Sequence, residues 1–232
     1  MEKKIEFIVD NTTLRGSLFI PSGNGPFPAV IFFHGSGGIG ETYFKAAKTL
    51  SRNGILGFAF NYRGAGVSDG EFSKQTLKMG IEDAKAALNF LMSQDKIDKQ
   101  RLGLCGASFG GFIAALLCTN SNAKSLILIG PVAYSPSDLG KQRDKAGDLN
   151  IDFRESDSYK EIAKFKGKFL MVTSEFDEVI PPEMISQYLK SAKLAFKIEE
   201  HVLKGAKHRI SINPKATKAL IEKTSDWFLQ TL

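Results

Sequence analysis

Gly106-Ala107-Ser108-Phe109-Gly110 is a Gly-x-Ser-x-Gly pentapeptide between an apolar strand and an apolar helix. A serine in that setting is a candidate nucleophile toward an acyl carbon. The strand-to-helix turn lifts its hydroxyl above a sheet, and the flanking glycines let strand and helix pack closely. Arg101-Leu102-Gly103-Leu104-Cys105 reads as a short buried strand, and Phe112 to Cys118 as the buried helix that follows. Five residues alone are a weak match, and a Gly-rich turn with a chance serine is the bland alternative. A serine hydroxyl also needs a positioned base near neutral pH.

Three histidines are present. His34 lies in Ile31-Phe32-Phe33-His34-Gly35-Ser36-Gly37-Gly38, directly after an apolar strand. That is the place and composition of an oxyanion loop, whose backbone N–H groups bind developing negative charge. His201 sits in the strand-like run Phe196 to Leu203 and reads as a structural or surface histidine. His208, in Gly205-Ala206-Lys207-His208-Arg209, lies in a loop between that strand and the last helix. A loop past a strand end can reach the elbow serine, so His208 is the base candidate.

The base needs an orienting carboxylate, and the chain order for this elbow is serine, acid, histidine. Phe169 to Ser174 is a strand in the right interval, and Glu175 to Pro182 is the loop after it. Asp177 is preferred for its Asp-x-x-Ile-Pro pattern ahead of a helix. Glu175 is second and Glu178 third; the alternative for each is a solvated loop charge.

The elements that must position these groups fit a chain of 232 residues folding as one domain over 1–232. That length buries a substantial core. Charged residues at 24% and apolar ones at 43% match an ordinary globular protein rather than a disordered or membrane-spanning one. The net charge of +6 comes from lysines spread along the chain, without an arginine-rich block or basic–aromatic repeat. This reads as a solvated surface, with no nucleic-acid partner. Cys105 falls on the strand before the elbow and Cys118 near the end of the helix after it; a helix from Ser108 carries Cys118 about 15 Å along its axis at 1.5 Å per residue, so no disulfide is expected. A reducing compartment follows, and the start Met1-Glu2-Lys3-Lys4 leads into Ile5-Glu6-Phe7-Ile8-Val9, which is too short and too alternating for the apolar region of a secretory signal. A cytoplasmic location without a membrane span is the expectation.

Lys4–Val9 and Leu14–Ile20 alternate on either side of Asp10-Asn11-Thr12 and predict a hairpin. Ala29–Phe33, Ile55–Phe60, Ser125–Gly130 and Phe169–Thr173 are continuous apolar runs, as strands buried on both faces should be. Helices are predicted over Tyr43–Asn53, about Lys74–Met92, around Met184–Ala192, and about Pro214–Leu229. Strands alternating with helices predict a mostly parallel sheet covered on both faces.

On these residues the chain resembles the α/β-hydrolase superfamily. It is similar there to small esterases of the cinnamoyl/feruloyl-esterase and dienelactone-hydrolase-like groups, and to serine-aminopeptidase-like hydrolases. The resemblance rests on His34 to Gly38, Asn61-Tyr62-Arg63-Gly64-Ala65-Gly66-Val67-Ser68-Asp69-Gly70, Gly106 to Gly110, Asp177 to Pro181, and Gly205 to His208, in family order. It implies an α/β-hydrolase fold with an N-terminal antiparallel hairpin, helices on both faces and a short cap insertion. It further implies Ser108 as nucleophile, Asp177 as acid and His208 as base, with an oxyanion hole from the N–H groups of Phe109 and Ser36. Ser174, where the family often has Gly, and Asn61, where it often has Asp, depart from the pattern.

The expected function is hydrolysis of small to medium acyl or aryl esters through an acyl-enzyme, with no metal or organic cofactor. A peptidase, amidase or thioesterase using the same three residues is the alternative. A non-catalytic ligand binder is the reading from another class. A monomer or homodimer is expected. Residues 134–163 sit where relatives insert a cap. Tyr134 and Phe153, with Leu139, Leu149, Ile151 and Tyr159, either line an acyl or aromatic pocket or anchor this stretch to the body. Arg63 either braces its glycine-rich loop or meets an anionic substrate.

Overall fold

A computed structural model of the chain describes residues 1–142 and 153–232. Leu149 and Ile151 of the expected cap therefore lie outside the described residues. Strands β1 (Glu2–Val9) and β2 (Thr12–Phe19) form the antiparallel hairpin. Asp10 and Asn11 take φ of 47° and 60° at its turn. Both central residues of this turn type need positive φ, which Asp and Asn tolerate best after Gly.

After the hairpin the chain alternates: β3 (Phe27–Phe33), α1 (Phe44–Arg52), β4 (Leu56–Phe60), α2 (Leu77–Met92), β5 (Ile97–Ala107), α3 (Phe109–Leu117) and β6 (Ser125–Ile129). Then come α4 (Asp157–Ile162), β7 (Lys168–Phe176), α5 (Pro182–Ser191), β8 (Lys197–Lys207) and α6 (Pro214–Thr231). The eight strands make one sheet in the order β1-β2-β4-β3-β5-β6-β7-β8. Every pair from β4 to β8 is parallel, and β2 joins β4 antiparallel. β4 and β6 are buried throughout, as their unbroken apolar runs require.

Two cores result, one on each face of the sheet. Leu104, Phe109, Phe112 and Leu128 pack with residues of α2 to α5 on one face. Phe32, Ala47, Leu50, Trp227 and Phe228 pack with α1 and α6 on the other. Strand order reverses at β3: β4 lies on one side of it, β5 to β8 on the other. The helices that follow β3 and β5 therefore go to opposite faces, and a crevice opens at the carboxyl ends of these strands.

Several boundaries differ from the sequence expectation. β5 begins at Ile97, because Phe27 pairs with Ile97 ahead of a register shift. The helix expected from Lys74 starts at Leu77, where the Thr76 hydroxyl accepts a hydrogen bond from Met79 N–H at 3.2 Å. α3 starts at Phe109 rather than Phe112, running straight out of the elbow through two glycines. β7 and β8 continue to Phe176 and Lys207, past the apolar cores by which they were recognised.

Candidate active site

Ser108 stands between β5 and α3 with φ 52° and ψ −116°. Its N–H donates to Ile129 O at 2.9 Å, and its carbonyl accepts from Phe112 N–H at 3.1 Å. The two pentapeptide glycines have a packing reason. A Cβ on Gly106 would lie 1.9 Å from Gly110 O, and one on Gly110 would lie 1.9 Å from Phe33 O. Any side chain at either position would force apart the strand, the helix and the loop after β3.

His208 follows directly on β8. Its Nε2 lies 3.2 Å from Ser108 Oγ, and its Nδ1 lies 3.0 and 3.1 Å from the Asp177 oxygens Oδ2 and Oδ1. Asp177 Oδ1 also accepts from the N–H groups of Val179 at 3.0 Å and Ile180 at 2.9 Å. Burial works against the charge on Asp177. The hydrogen bonds from His208, Ile180 and Val179 outweigh it and hold the carboxyl below its usual range. An ionised Asp177 accepts the Nδ1 proton of His208. The Nε2 lone pair is then the one facing the Ser108 hydroxyl.

The two competing acids do other work. Glu175 accepts from Gly205 N–H at 2.7 Å and from Lys204 Nζ at 3.0 Å, tying β7 to β8 where their register shifts. Glu178 accepts from the backbone N–H of His208 at 3.2 Å. On the other side Asn213 Nδ2 donates to Gly205 O at 2.9 Å. The turn carrying His208 is thus held from β7 and from the start of α6. Gly130, at φ +44° after β6, was not singled out from sequence. A Cβ there would lie 3.2 Å from Asp177 Oδ2, so this glycine leaves room for the acid–histidine pair.

Ser36 lies in a turn closed by Gly38 N–H donating to Gly35 O at 3.1 Å. His34 is buried below it, with Nδ1 2.8 Å from Gly35 O and Nε2 accepting from Tyr62 N–H at 3.4 Å. Through these contacts His34 braces the loop. Phe109 contributes the first N–H of α3, at the positive end of the helix. Ser36, Ser108 and His208 line one cleft of about 680 Å³ that runs between α1 and α6. His201 sits in β8 opposite Val172, away from this group, and burial lowers its basicity.

The structure does not bring Tyr134 and Phe153 to that cleft. Tyr134 is 3% exposed, its ring edge-on to Phe112 at 5.2 Å. Phe153 lines a separate cleft with Pro182, Ser186 and Lys190. Tyr159 is buried against Tyr188 at 4.6 Å, and Leu139 packs on the core. All four pack on the hydrophobic core. The groups that do wall the serine cleft, Ile210, Leu220 and Ile221, come from the helix and turn after the base. The signal of Leu220 and Ile221, apolar residues on α6, reads from sequence as core.

Arg63 braces its loop. Its Nε donates to Asp83 Oδ1 at 2.6 Å, its backbone N–H to Asp83 Oδ2 at 2.9 Å, and its guanidinium reaches Asp10 at 3.2 Å. Both Arg63 and Asp83 are buried. Asn61 accepts from Gly40 N–H at 2.7 Å and donates to Glu41, joining that loop to the one after β3. Cys105 and Cys118 are free and buried; burial pushes both thiols up, that of Cys118 to about 12, so neither competes as a nucleophile. Among the described residues no group of His, Cys, Asp and Glu is placed to hold a metal ion. None of the described helices is long and apolar enough to cross a membrane.

The family described as serine aminopeptidase, S33, matches residues 25–146, just over half of the chain. Thiohydrolase aneE of Aspergillus aculeatus is 33% identical over 134 residues, covering 56% of this chain and 41% of that protein. Esterase EstD of Thermotoga maritima is 30% identical over 128 residues, covering 52% of this chain and 31% of that protein. The chain spans about a third to two fifths of the length of the curated relatives it matches. Est1E of Butyrivibrio proteoclasticus, with ferulic acid bound, superposes with a TM-score of 0.77 at 18% identity, covering 98% of each chain. That likeness shows the fold, the one expected from the sequence.

Proposed function

The chain belongs to the serine aminopeptidase, S33, family of α/β hydrolases, and we propose that it is a serine carboxylesterase acting on small to medium acyl or aryl esters. One observation carries the reading: His208 bridges Ser108 Oγ at 3.2 Å and Asp177 at 3.0 Å. His208 takes the proton of Ser108 as Oγ attacks the ester carbonyl. Asp177 holds the ring in the required tautomer and stabilises the imidazolium. The N–H groups of Ser36 and Phe109 receive the oxyanion. His208 then protonates the leaving oxygen, and a water deprotonated by His208 releases the acid. Each oxyanion donor is worth about 10²–10³ in rate. These steps call for no metal or organic cofactor. The described residues 134–142 and 153–163 are read as part of a short lid-like insertion.

A thioesterase is the second reading, favoured by the similarity to a protein named a thiohydrolase. The test is kcat/KM of the wild type and Ser108→Ala on p-nitrophenyl butyrate and on the matching butyryl thioester. Turnover of the ester that vanishes in Ser108→Ala is the expected result. A marked preference for the thioester would move the assignment to the second reading. An inert wild type, folded but unlabelled by a fluorophosphonate, would refute both.

A further inference from the structure

Two arms leave the scissile carbonyl of an ester, and proton transfer fixes the side on which each lies. As the Ser108 Oγ–carbon bond forms, the hydroxyl proton passes to His208 Nε2. As the bond from carbon to the leaving oxygen or sulfur breaks, the same proton passes from Nε2 to that atom, which takes the bonding pair. The leaving atom must therefore sit within about 2.6–3.2 Å of Nε2. Its substituent departs on the His208 flank of Ser108, and the acyl chain extends from the other flank.

His208 and the three residues after it line the cleft of about 680 Å³ between α1 and α6, which the loop of Ser36 also lines. Ile210, two residues beyond the base, forms part of its wall, and α6 adds Leu220 and Ile221. Ile39, Tyr43 and Ala46 face them from the other side. Ile210, Leu220 and Ile221 are only half-buried and Ile39 is 42% exposed, so the cleft presents apolar surface that a ligand would cover. Its volume lies within the roughly 300–1,000 Å³ of small-molecule sites. No Asp or Glu is among the described residues that line it, and Arg209 at its edge is the only permanently charged one. A cationic alcohol would find no counter-charge there.

We propose that this cleft is the leaving-group subsite, and that it selects an uncharged, apolar alcohol or thiol of medium length. The inference rests on the hydrolase reading of the same site. It assigns chain-length selectivity on this side to Leu220 and its neighbours; Tyr134 and Phe153 are not among the described residues that line the cleft.

The test uses two ester series followed by proton release: methyl, butyl and octyl acetate, and methyl acetate, butanoate and octanoate. Each is run with the wild type, with Leu220→Trp, which fills the cleft, and with Leu220→Ala, which opens it. The expected result for Leu220→Trp is a fall of about tenfold or more in the octyl-to-methyl acetate ratio of kcat/KM. The octanoate-to-acetate ratio should not follow it. Leu220→Ala should move the optimum toward longer alcohols, and it decides the matter if the tryptophan variant does not fold. A change confined to the octanoate ratio would make the cleft an acyl site and overturn the proposal, and so would no change in either ratio. A wild type that hydrolyses none of these esters and takes no fluorophosphonate would bring down the hydrolase reading first, and this inference with it.

Discussion

Exchanging Asp177 for asparagine should silence His208 without moving it. Asp177 Oδ1 is fixed as an acceptor by the N–H groups of Val179 and Ile180, at 3.0 and 2.9 Å. An asparagine must keep its carbonyl oxygen there. Its amide nitrogen then takes the place of Oδ2, 3.0 Å from His208 Nδ1. The amide donates at the shorter of the two contacts, which favours the tautomer in which Nδ1 accepts and the ring proton moves to Nε2, over the one in which Nδ1–H donates to the retained oxygen at 3.1 Å. That proton then points at Ser108 Oγ, 3.2 Å away, and the base is blocked. A change of this kind in a serine–histidine–aspartate array costs about 10⁴ in kcat, or about 5.5 kcal/mol at 1.36 kcal/mol per tenfold. The assay is kcat/KM on p-nitrophenyl butyrate, beside thermal unfolding to show that the fold survives. Glu175→Gln is the control. Its amide oxygen can still accept from Gly205 N–H, so the loss should stay below about tenfold, since only a neutral-for-charged hydrogen bond is exchanged. Asp177→Asn with a tenth or more of wild-type activity, beside an inert Glu175→Gln or Glu178→Gln, would refute the assignment of the acid.

Arg63→Met should leave Asp83 buried without its counter-charge and cost about 3–5 kcal/mol in urea unfolding, while Arg63→Met/Asp83→Leu recovers most of it. A large KM effect on neutral esters without loss of stability would instead put Arg63 at the substrate. Asp177, held below its usual range, contributes stability that is complete above the unfolded value near 3.9 and lost as pH falls through the folded one. The midpoint of thermal unfolding of Asp177→Asn should therefore fall less than that of the wild type between pH 7 and pH 3.5. An equal or steeper fall would contradict the sign.

What sequence could reveal here followed from local chemistry. The elbow was legible because Gly106 and Gly110 are demanded by contacts within a few residues or with the next strand. The parallel strands were legible because burial on both faces leaves an unbroken apolar run. His208 stood out from three histidines through its place past a strand end, and Asp177 through the turn that its own Oδ1 closes with Val179 and Ile180. The ends of β7 and β8 were not legible. Glu175 and Lys207 are polar strand residues at the sheet edge, where polarity no longer separates strand from loop. The cleft walls were missed for a related reason. Leu220 and Ile221 look like core on a helical stripe, and only tertiary placement turns part of that stripe toward Ser108. Tyr134 and Phe153 read from sequence as lining a pocket or anchoring their stretch, and aromatic character does not tell a lining ring from a packed one such as Tyr134 on Phe112.

The backbone of Ser108 carries a further consequence, for selection rather than catalysis. At φ 52° and ψ −116° a residue with a Cβ is strained by roughly 1–3 kcal/mol, and glycine is not. A screen that rewards heat resistance alone would therefore favour glycine at 108 and so delete the nucleophile. On the proposed mechanism, serine at this position exchanges melting temperature for turnover. Alanine, which keeps the Cβ and the strain, is the fair inert reference for the active chain; glycine would flatter the dead enzyme.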